Sequence, residues 1–564
     1  MKFVPCGTSE ICLRHMKYAS RMKCASHMKE RILFHILPSG KIFHQIPQGS
    51  ESICQKAERN TSLLNYSAFS GIMENIRRDP VFGTICGVGA FAPISQSQNA
   101  RFFRLFLYQK GLFMDSKKTF TEGPIFSPLV KFALPVLLAL FLQALYGAVD
   151  LLIVGRFGGE LAEVHVSAVS TGSQIMQSLT IVIEGLAMGL TVFVGEMIGA
   201  KEKEEAGRII GSGVFFFGAL SVAVTLVMTL SSPLLAHLMN APEAAYGETV
   251  QYIFICSAGT IFIVAYNLLG SIFRGAGDSN LPLLAVAIAC VLNILGDLLL
   301  VAVFGMGAAG AATATIFAQA VSVLLSLIII KKRKLPFSFT KKSIRPNRAH
   351  VKRILRLGMP IAFQDLLVSI SFLVIIAIVN GLGLIESDGI GIAEKACAFI
   401  MLVPSAFMQS MSAFVAQNMG AKKPERAKIA LRYGIVSSLA VGVVIGYFTF
   451  FHGDILAGIF AKDAEIIAPA WEYLKAYAID CLLTSFLFCF MGYFNGCGRT
   501  TFVMIQGIVG GICVRLPVSY LMSKIEPVSL FRIGLATPTS TALQIIMSVV
   551  FFAVIRKKYK NSSD

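Results

Sequence analysis

Several polar residues lie inside the apolar segments of this 564-residue chain, and some of them can ionise. An ionisable side chain is unfavourable in such a segment, so its presence there suggests a function. Asp150 comes late in the first long apolar segment, with Tyr146 four residues and Gln143 seven residues before it. In an α-helix these spacings place all three side chains along one face. Asn293 and Asp297, in the fifth segment, are four residues apart and again share a face. A charge at the centre of a bilayer costs about 2.5–3.5 kcal/mol on insertion scales, so each carboxylate needs a partner or a wet cavity.

These side chains form a candidate ion site together with Thr313 and Thr315 of the sixth segment. Carboxylate, amide, phenol and hydroxyl oxygens can hold Na⁺, and two carboxylates close together in a medium of low dielectric can share a proton. The candidate sodium ligands are Asp150, Asn293, Asp297 and Thr315. Two simpler alternatives are that Asp297 only bonds to Asn293 and that Asp150 faces water near the end of its helix.

Other polar residues in apolar segments are weaker candidates. Glu184 lies deep in the second segment and is a candidate for lining a substrate cavity, as is Gln364 with Asp365 at the start of the seventh. Glu196 is near the end of its segment, where we expect it to be solvated. Arg515 is expected to reach the interface with its charged tip or to pair with an acid.

The elements that must position these residues are apolar runs of roughly 20 residues or more, each long enough to cross a bilayer as a helix. The chain is 55% hydrophobic and 15% charged, with a mean hydropathy of +0.70, whereas soluble domains carry about 25% charged residues. We therefore predict an all-α polytopic membrane protein with twelve transmembrane helices. The predicted spans are 128–154, 166–198, 208–231, 249–272, 281–303, 308–330, 354–380, 390–417, 429–451, 471–494, 501–523 and 533–555.

The charge of the chain is distributed between these spans. The net charge is +18, which in a soluble protein would suggest nucleic acid as a partner. Here the basic residues concentrate in alternate loops, above all in residues 331–353, so no nucleic-acid partner is expected. Under the positive-inside rule these loops are cytoplasmic, and so are both ends of the core. The loops near Glu243 and Glu386 are acidic or weakly charged and belong to the other side.

Several classes of function find no support in the sequence. The twelve cysteines include no C-x-x-C pair and no zinc-type spacing with histidine. No G-x-x-x-x-G-K-[ST] motif for ATP binding occurs. No nucleophile or metal constellation suggests a membrane enzyme, so we expect a transporter that is not an enzyme. A channel would not need a two-lobed design.

The chain repeats itself at a nearly constant register, which predicts two six-helix lobes of the same orientation. Parallel repeats of this kind bind substrate between the lobes and expose it to alternate sides. The predicted regions are an N-terminal lobe at 114–330, a basic cytoplasmic interlobe loop at 331–353, a C-terminal lobe at 354–555 and a cytoplasmic tail at 556–564. The matching stretches are 134–136 with 359–361, 198–201 with 419–422, and 273–277 with 494–498, at offsets of 225, 221 and 221 residues.

Residues 1–113 differ from the rest. They contain five cysteines, four of the eight histidines and many basic residues, but no apolar run of spanning length. We expect this stretch to be a disordered extension, or not part of the native protein, with the working chain starting at Met114. A targeting peptide is the less favoured alternative.

From Met114 onward the chain resembles the multidrug and toxic compound extrusion (MATE) transporters, of the bacterial DinF/NorM-like type. The motifs arrive in the order and spacing of that family. They are TEGPI (Thr121–Ile125), FALP (Phe132–Pro135), LYGAVDLLIVGRFGG (Leu145–Gly159), FRGAGDSN (Phe273–Asn280) and FVAQNMGAKKPERA (Phe414–Ala427).

The resemblance implies a role for particular residues. Proton-linked members have a kinking proline fifteen residues before the first-span aspartate, and Pro135 stands fifteen before Asp150, so Pro135 is the candidate hinge. The family's coupling cluster matches at Tyr146, Asp150, Asn293, Asp297 and Thr315, and Asn267 matches a further polar position that we assign to the substrate cavity with Gln143.

Sodium-linked relatives also carry acids in the second half. Here their positions are occupied by Val368 and Thr484, and the residue that matches Asp150 at an offset of 225 is Ile375. Asp480 lies one turn from Thr484 and either substitutes for the missing acid or is a bonded residue nearer the outer surface. These departures suggest that ion coupling lies in the N-terminal lobe.

The resemblance also implies what the protein does. We expect a multidrug antiporter that exports small organic cations in exchange for H⁺ or Na⁺ by alternating access, with no other cofactor and no resident metal. It is expected to be a monomer in the lipid bilayer of the bacterial plasma membrane, with both termini cytoplasmic. The alternative is a flippase for lipid-linked oligosaccharides from the same superfamily. Such flippases tend to line their cavity with Arg or Lys, whereas the candidate cavity here contains acids.

Overall fold

The computed structural model describes residues 120–333, 335–340 and 343–561, with side chains as far as residue 557. Residues 1–113, for which we predict an extension, lie outside the described residues. Eleven helices in the described part are long and apolar enough to cross a membrane, and a bent helix pair makes a twelfth span. The spans are α1 (Phe126–Phe157), α2 (Gly159–Gly199), α3 (Lys203–Leu230), α4 (Glu243–Ala258 and Thr260–Ala276), α5 (Asn280–Val303), α6 (Gly307–Lys332), α7 (Arg348–Asn380), α8 (Leu384–Gly420), α9 (Pro424–Gly458), α10 (Ala464–Gly496), α11 (Thr500–Ser523) and α12 (Leu530–Lys557).

The predicted fold class is confirmed, and each predicted span falls on one of these helices. The helices differ from the prediction in their irregularities. The two parts of α4 meet at Gly259 with a bend of 49°. The helix α5 turns into a π-helix at Leu298–Val303, directly after Asp297, and α11 contains another at Val509–Arg515. Apolar periodicity reports burial and length but not these local changes of winding, so the sequence predicted regular spans.

The internal repeat is also visible in the backbone conformation after α2 and α8. Two residues beyond the end of each helix, a lysine has a left-handed backbone: Lys201 with φ 64° and Lys422 with φ 57°. Each lysine N–H donates to the carbonyl three residues earlier, at 3.1 Å from Ile198 and 3.0 Å from Met419. Glycine is the usual residue for this conformation, because a Cβ atom makes it less favourable. The same uncommon turn therefore occurs at matching positions of the two halves.

The two predicted lobes touch along α2 and α7, where glycines let the backbones approach closely. A Cβ atom on Gly185 would lie 2.6 Å from the backbone nitrogen of Ala362, and one on Gly189 would lie 2.6 Å from that of Gly358. Small residues at such crossings are typical of membrane helices, where packing replaces the hydrophobic effect. The boundaries of the two lobes at residues 331–353 stay a prediction.

We call the end of the bundle that carries the α6–α7 loop the basic end. Here the segment before α1 is bound to the other half of the chain. The Phe120 side chain is 2% exposed and packs between Phe132 and Phe414, with ring centroids 5.1 and 4.9 Å away. The guanidinium of Arg426 donates hydrogen bonds to four backbone carbonyls of this segment. They belong to Phe120 (3.0 Å), Gly123 (2.7 Å), Glu122 (3.1 Å) and Pro124 (3.3 Å).

Polar contacts across the α2–α7 and α4–α8 boundaries close the same end. Glu196 of α2 accepts a hydrogen bond from Arg353 of α7 at 2.5 Å. The side-chain amide of Gln417 in α8 donates to the carbonyl of Gly275 at 2.9 Å. Glu196 is partly exposed, as expected for a residue near the end of its helix, and it also pairs with a cation from the start of α7.

Candidate functional site

The helix α1 presents three of the predicted site residues in succession. Gln143, Tyr146 and Asp150 lie on α1, which is continuous through Pro135. The amide of Gln143 donates a hydrogen bond to the hydroxyl of Tyr266 in α4 at 3.3 Å. The hydroxyl of Tyr146 lies beside Gln319 of α6. Neighbouring helices thus fix the direction of this face.

Asp150 is the meeting point of three helices. Its Oδ2 accepts a hydrogen bond from the hydroxyl of Thr315 in α6 at 3.3 Å. The same hydroxyl oxygen accepts one from Nδ2 of Asn293 in α5 at 3.2 Å. The structure therefore brings together the residues that spacing and resemblance selected. The side chains of Asp150, Asn293 and Asp297 are 5%, 2% and 0% exposed, so neither carboxylate faces the surroundings of the bundle.

The second carboxylate, Asp297, lies beside Asp150. A hydrogen bond between two carboxyl groups needs a proton on one of them, and these two are close enough to form one. Both Asp297 oxygens, Oδ1 of Asp150 and Oδ1 of Asn293 accept no other hydrogen bond from the described residues. Unsatisfied buried acceptors are costly, so the arrangement favours a bound proton or a small cation. The oxygens offered are the ligands that hard cations prefer.

The winding of α5 changes at this site. The π-helix Leu298–Val303 begins directly after Asp297. A π turn contains one extra residue, and such turns are frequent at functional sites because they redirect side chains. Asp297 is thus held at a junction between two helical windings. The sequence carries no clear signal for this feature, since Leu and Val fit either winding.

A cavity lies between the two halves, and the helix α1 that carries Asp150 also contributes to its wall. Its volume is about 80 Å³, and its polar lining comes mainly from α1, α2, α4, α7 and α8. Gln143, Glu184 and Asn267 line it, as predicted. Asn267 also donates to the carbonyl of Ile263 at 3.1 Å. Asp150 and Glu184 are both near enough to Tyr146 for their charges to act on its hydroxyl.

Gln364 does not line this cavity, which corrects one prediction. Its side chain packs against Gly507 of α11, in the space that a Cβ atom on this glycine would occupy. Asp365, in contrast, lines the cavity. Successive residues on an α-helix point about 100° apart, and here Gln364 points toward α11 while Asp365 points into the cavity. The sequence analysis named both residues, and only Asp365 of the two lines the cavity.

Two residues that the sequence analysis did not select complete the cavity. Tyr266 accepts the hydrogen bond from Gln143, and Arg274 faces Glu184 as an opposite charge. Arg274 belongs to the FRGAGDSN motif and lies just beyond the predicted span 249–272, but the structure places it in the last turn of α4. With Glu184 and Asp365, the cavity contains two acids and one base.

The second half contains a separate buried polar group. Asp480 is 2% exposed and lies beside Thr541 of α12. Arg515 is 6% exposed, donates to the hydroxyl of Ser371 at 3.1 Å and stacks on Phe372 with 4.3 Å between the guanidinium carbon and the ring centre. Arg515 therefore stays inside the protein instead of reaching the interface. Asp480 does not join the carboxylate pair of the first half.

Comparison with known proteins identifies the family. A family model described as MatE matches residues 135–299 and 360–521, in two segments that begin 225 residues apart. This chain belongs to the MatE family. The MatE segments begin at Pro135 and Pro360, the two helix-interior prolines of α1 and α7.

Similar MatE proteins cover most of the chain. The "Probable multidrug resistance protein YpnP" of Bacillus subtilis (strain 168) is 27% identical over 405 residues, covering 72% of this chain and 90% of that protein. The "Probable multidrug resistance protein NorM" of Thermotoga maritima (strain ATCC 43589) is 25% identical over 431 residues, covering 75% and 91%. Among solved structures, an "Outward-facing conformation of a multidrug resistance MATE family transporter of the MOP superfamily" has a TM-score of 0.72. It is 21% identical and covers 78% of this chain and 98% of that one, which establishes the shared fold.

Proposed function

We propose that this protein is a secondary antiporter that exports small organic cations in exchange for H⁺ or Na⁺. It acts in a bacterial plasma membrane with its basic end in the cytoplasm, following the positive-inside rule. Membership of the MatE family and the drug-export names of similar proteins support the export function. No step needs a cofactor other than the coupling ion.

The observation that carries the proposal is the buried pair of Asp150 and Asp297, joined through Thr315 to Asn293. Two adjacent carboxyl groups that share a proton can exchange it for another cation with little rearrangement. Four oxygens of Asp150, Asn293 and Asp297 accept no hydrogen bond from a donor among the described residues and are available to this cation. A purely structural pair would be expected to have these acceptors satisfied.

Tyr146 couples ion binding at the carboxylate pair to binding of the transported substrate. A cationic substrate between the halves meets Glu184 and Asp365, whose charges favour its binding. Binding of H⁺ or Na⁺ at the pair changes the electric field at Tyr146, on whose hydroxyl the charges of both Asp150 and Glu184 act. Pro135 is a suitable hinge for the resulting movement of α1, because proline removes one hydrogen bond of the helix.

The cavity must widen to take its substrate. Its volume of about 80 Å³ is small beside the roughly 300–1,000 Å³ of pockets for drug-sized ligands. Movement of the two halves about the α2–α7 contact would widen it. The contacts at the basic end would then break when the cavity opens to the cytoplasm, as alternating access requires.

A flippase for anionic lipid carriers is not favoured by this cavity. Its lining contains two acids, Glu184 and Asp365, against one basic residue, Arg274. A site built for a diphosphate carrier would need an excess of cations.

Transport by purified protein in vesicles tests the proposal. Ethidium, a permanent cation, would be loaded and its movement followed under an imposed H⁺ or Na⁺ gradient. Asp150→Asn and Asp297→Asn should abolish gradient-driven transport, whereas Glu243→Gln, at the exposed first residue of α4, should not change it. Full transport by Asp150→Asn at normal expression would remove this pair from the mechanism.

A further inference from the structure

A second cavity of about 790 Å³ opens at the basic end, away from the site described above. It is formed by the start of α7, the turn between α10 and α11, and the inner side of α12. Four cationic side chains line it: Lys352, Arg353, Arg356 and Arg499. Glu196 is the one acid among the lining residues.

Most of this positive charge is not neutralised. Glu196 pairs with Arg353 at 2.5 Å. Within the part of the chain that the structure describes, no carboxylate pairs with Lys352, Arg356 or Arg499. Like charges gathered in one cavity repel one another, and a bound anion would relieve that repulsion.

Two other cations at the same end, Arg208 and Lys428, have acidic partners. Arg208 has Glu204 and Glu205 as partners at 3.6 and 3.1 Å, and Lys428 has Glu425 at 2.6 Å. The cations of this cavity therefore differ from Arg208 and Lys428, each of which has an acid within one turn of its own helix.

The internal repeat shows what is different here. In the first half, Asp278 precedes α5, and its Oδ1 accepts hydrogen bonds from the backbone N–H groups of Asn280 and Leu281 at 3.0 and 3.2 Å. Its Oδ2 accepts one from Arg333 at 2.9 Å. An internal anion thus binds both the N-terminus of the fifth span and a nearby arginine.

The second half has a cation at the same position. Arg499 stands 221 residues after Asp278, the offset of the surrounding motif, and precedes α11 as Asp278 precedes α5. No side chain caps the N-terminus of α11. The hydroxyl of Thr500 donates to the carbonyl of Arg356 at 3.4 Å, which holds the start of α11 against α7. The second half therefore has no carboxylate equivalent to that of Asp278, and the unpaired cations of the cavity lie in this half.

We propose that this cavity binds a phosphate group, at the position that the Asp278 carboxylate takes in the first half. Guanidinium groups bind phosphate oxygens in a bidentate manner, and the uncapped N-terminus of α11 adds backbone donors and a favourable dipole. The phosphate comes either from the headgroup of an anionic phospholipid in the adjacent leaflet or from a soluble phosphate. Basic pockets among transmembrane helices on this side of a membrane are suited to lipid headgroups.

Binding by the full chain in a neutral detergent tests this assignment. Inorganic phosphate would be titrated by calorimetry at constant ionic strength, with chloride as the comparison. In a second arm, the thermal stability of the protein would be measured with added phosphatidylglycerol or phosphatidylcholine. The variants are Arg499→Asp, which copies the first half, the double variant Lys352→Gln/Arg356→Gln, and the control Lys331→Gln at the end of α6.

We expect the wild type and Lys331→Gln to bind phosphate or to be stabilised by phosphatidylglycerol but not by phosphatidylcholine. Both cavity variants should bind at least about tenfold more weakly, because charge-assisted hydrogen bonds are lost. A response to phosphatidylglycerol alone identifies the lipid as the source, and a response to inorganic phosphate shows that a soluble anion suffices. Equal binding by the wild type and by the double variant would overturn the proposal, even if Arg499→Asp failed to fold. The test does not depend on transport, so it can fail while the proposed function stands.

Discussion

Replacing Thr315 with valine should weaken the use of the coupling ion without disturbing the fold. The valine keeps the branched shape of threonine but removes the hydroxyl that donates to Asp150 at 3.3 Å and accepts from Asn293 at 3.2 Å. The carboxylate then loses its donor from α6, and the three helices lose the group that connects them.

The size of the effect follows from the geometry. A hydrogen bond to a charged group contributes roughly 1.5–3 kcal/mol. The bond to Asp150, at 3.3 Å, is longer than the usual 2.5–3.0 Å of an O–H donor, so the lower value of about 1.5 kcal/mol applies, which corresponds to about tenfold in affinity. If Na⁺ is the coupling ion, its half-saturating concentration should rise about tenfold, because one oxygen ligand is lost. If H⁺ is the coupling ion, the midpoint of the pH profile of transport should move by about one unit.

The matched control lies two residues away. The hydroxyl of Thr313 donates only to the carbonyl of Ala309 in its own helix, at 2.7 Å. Thr313→Val should therefore transport like the wild type over the same range of pH and Na⁺ concentration. The reasoning is refuted if Thr315→Val has the ion dependence of the wild type, or if Thr313→Val shows the same shift.

Two further predictions concern the contacts between the halves. Arg426→Gln removes most of four hydrogen bonds to the segment before α1, a loss of about 2 kcal/mol that should speed hydrogen exchange there about thirtyfold. Lys428→Gln, whose partner Glu425 lies on the same helix, should leave the exchange rate unchanged, and equal rates in both variants would contradict the assignment. Gly185→Ala places a methyl group 2.5 Å from the backbone of α7. The free energy of unfolding should therefore fall by about 1–3 kcal/mol, which lowers the melting temperature. Gly147→Ala, which meets nothing within 4 Å, should not lower it, and the packing argument fails if the two variants melt together.

The number and type of helices were predictable from the sequence, but their irregularities were not. A run such as 429–451 is long enough to span a bilayer, and the structure extends it to Pro424–Gly458 because polar ends beyond the hydrocarbon layer can continue a helix. The break at Gly259 and the two π segments depend on how each helix packs on its neighbours. Apolar residues fit straight and irregular windings equally well.

The carboxylate pair was predictable because each helix contributes residues at helical spacing. The face of α1 with Tyr146 and Asp150 follows from a spacing of four, and resemblance to the family supplied Thr315. The contact between Gln143 and Tyr266 was not predictable, because one sequence does not give the rotation of α4 relative to α1. The same missing rotation explains why the sequence named Gln364 beside Asp365, although only Asp365 of the two faces the cavity.

The narrowness of the central cavity has a consequence for any measurement of ligand affinity. With about 80 Å³ in the described conformation, a drug-sized molecule binds only those copies of the protein that have already widened. If one copy in about a hundred has done so, the apparent dissociation constant is about a hundredfold weaker than the intrinsic one. Ion pairs that never touch the ligand, such as that between Glu196 and Arg353, therefore help to set how tightly it is held.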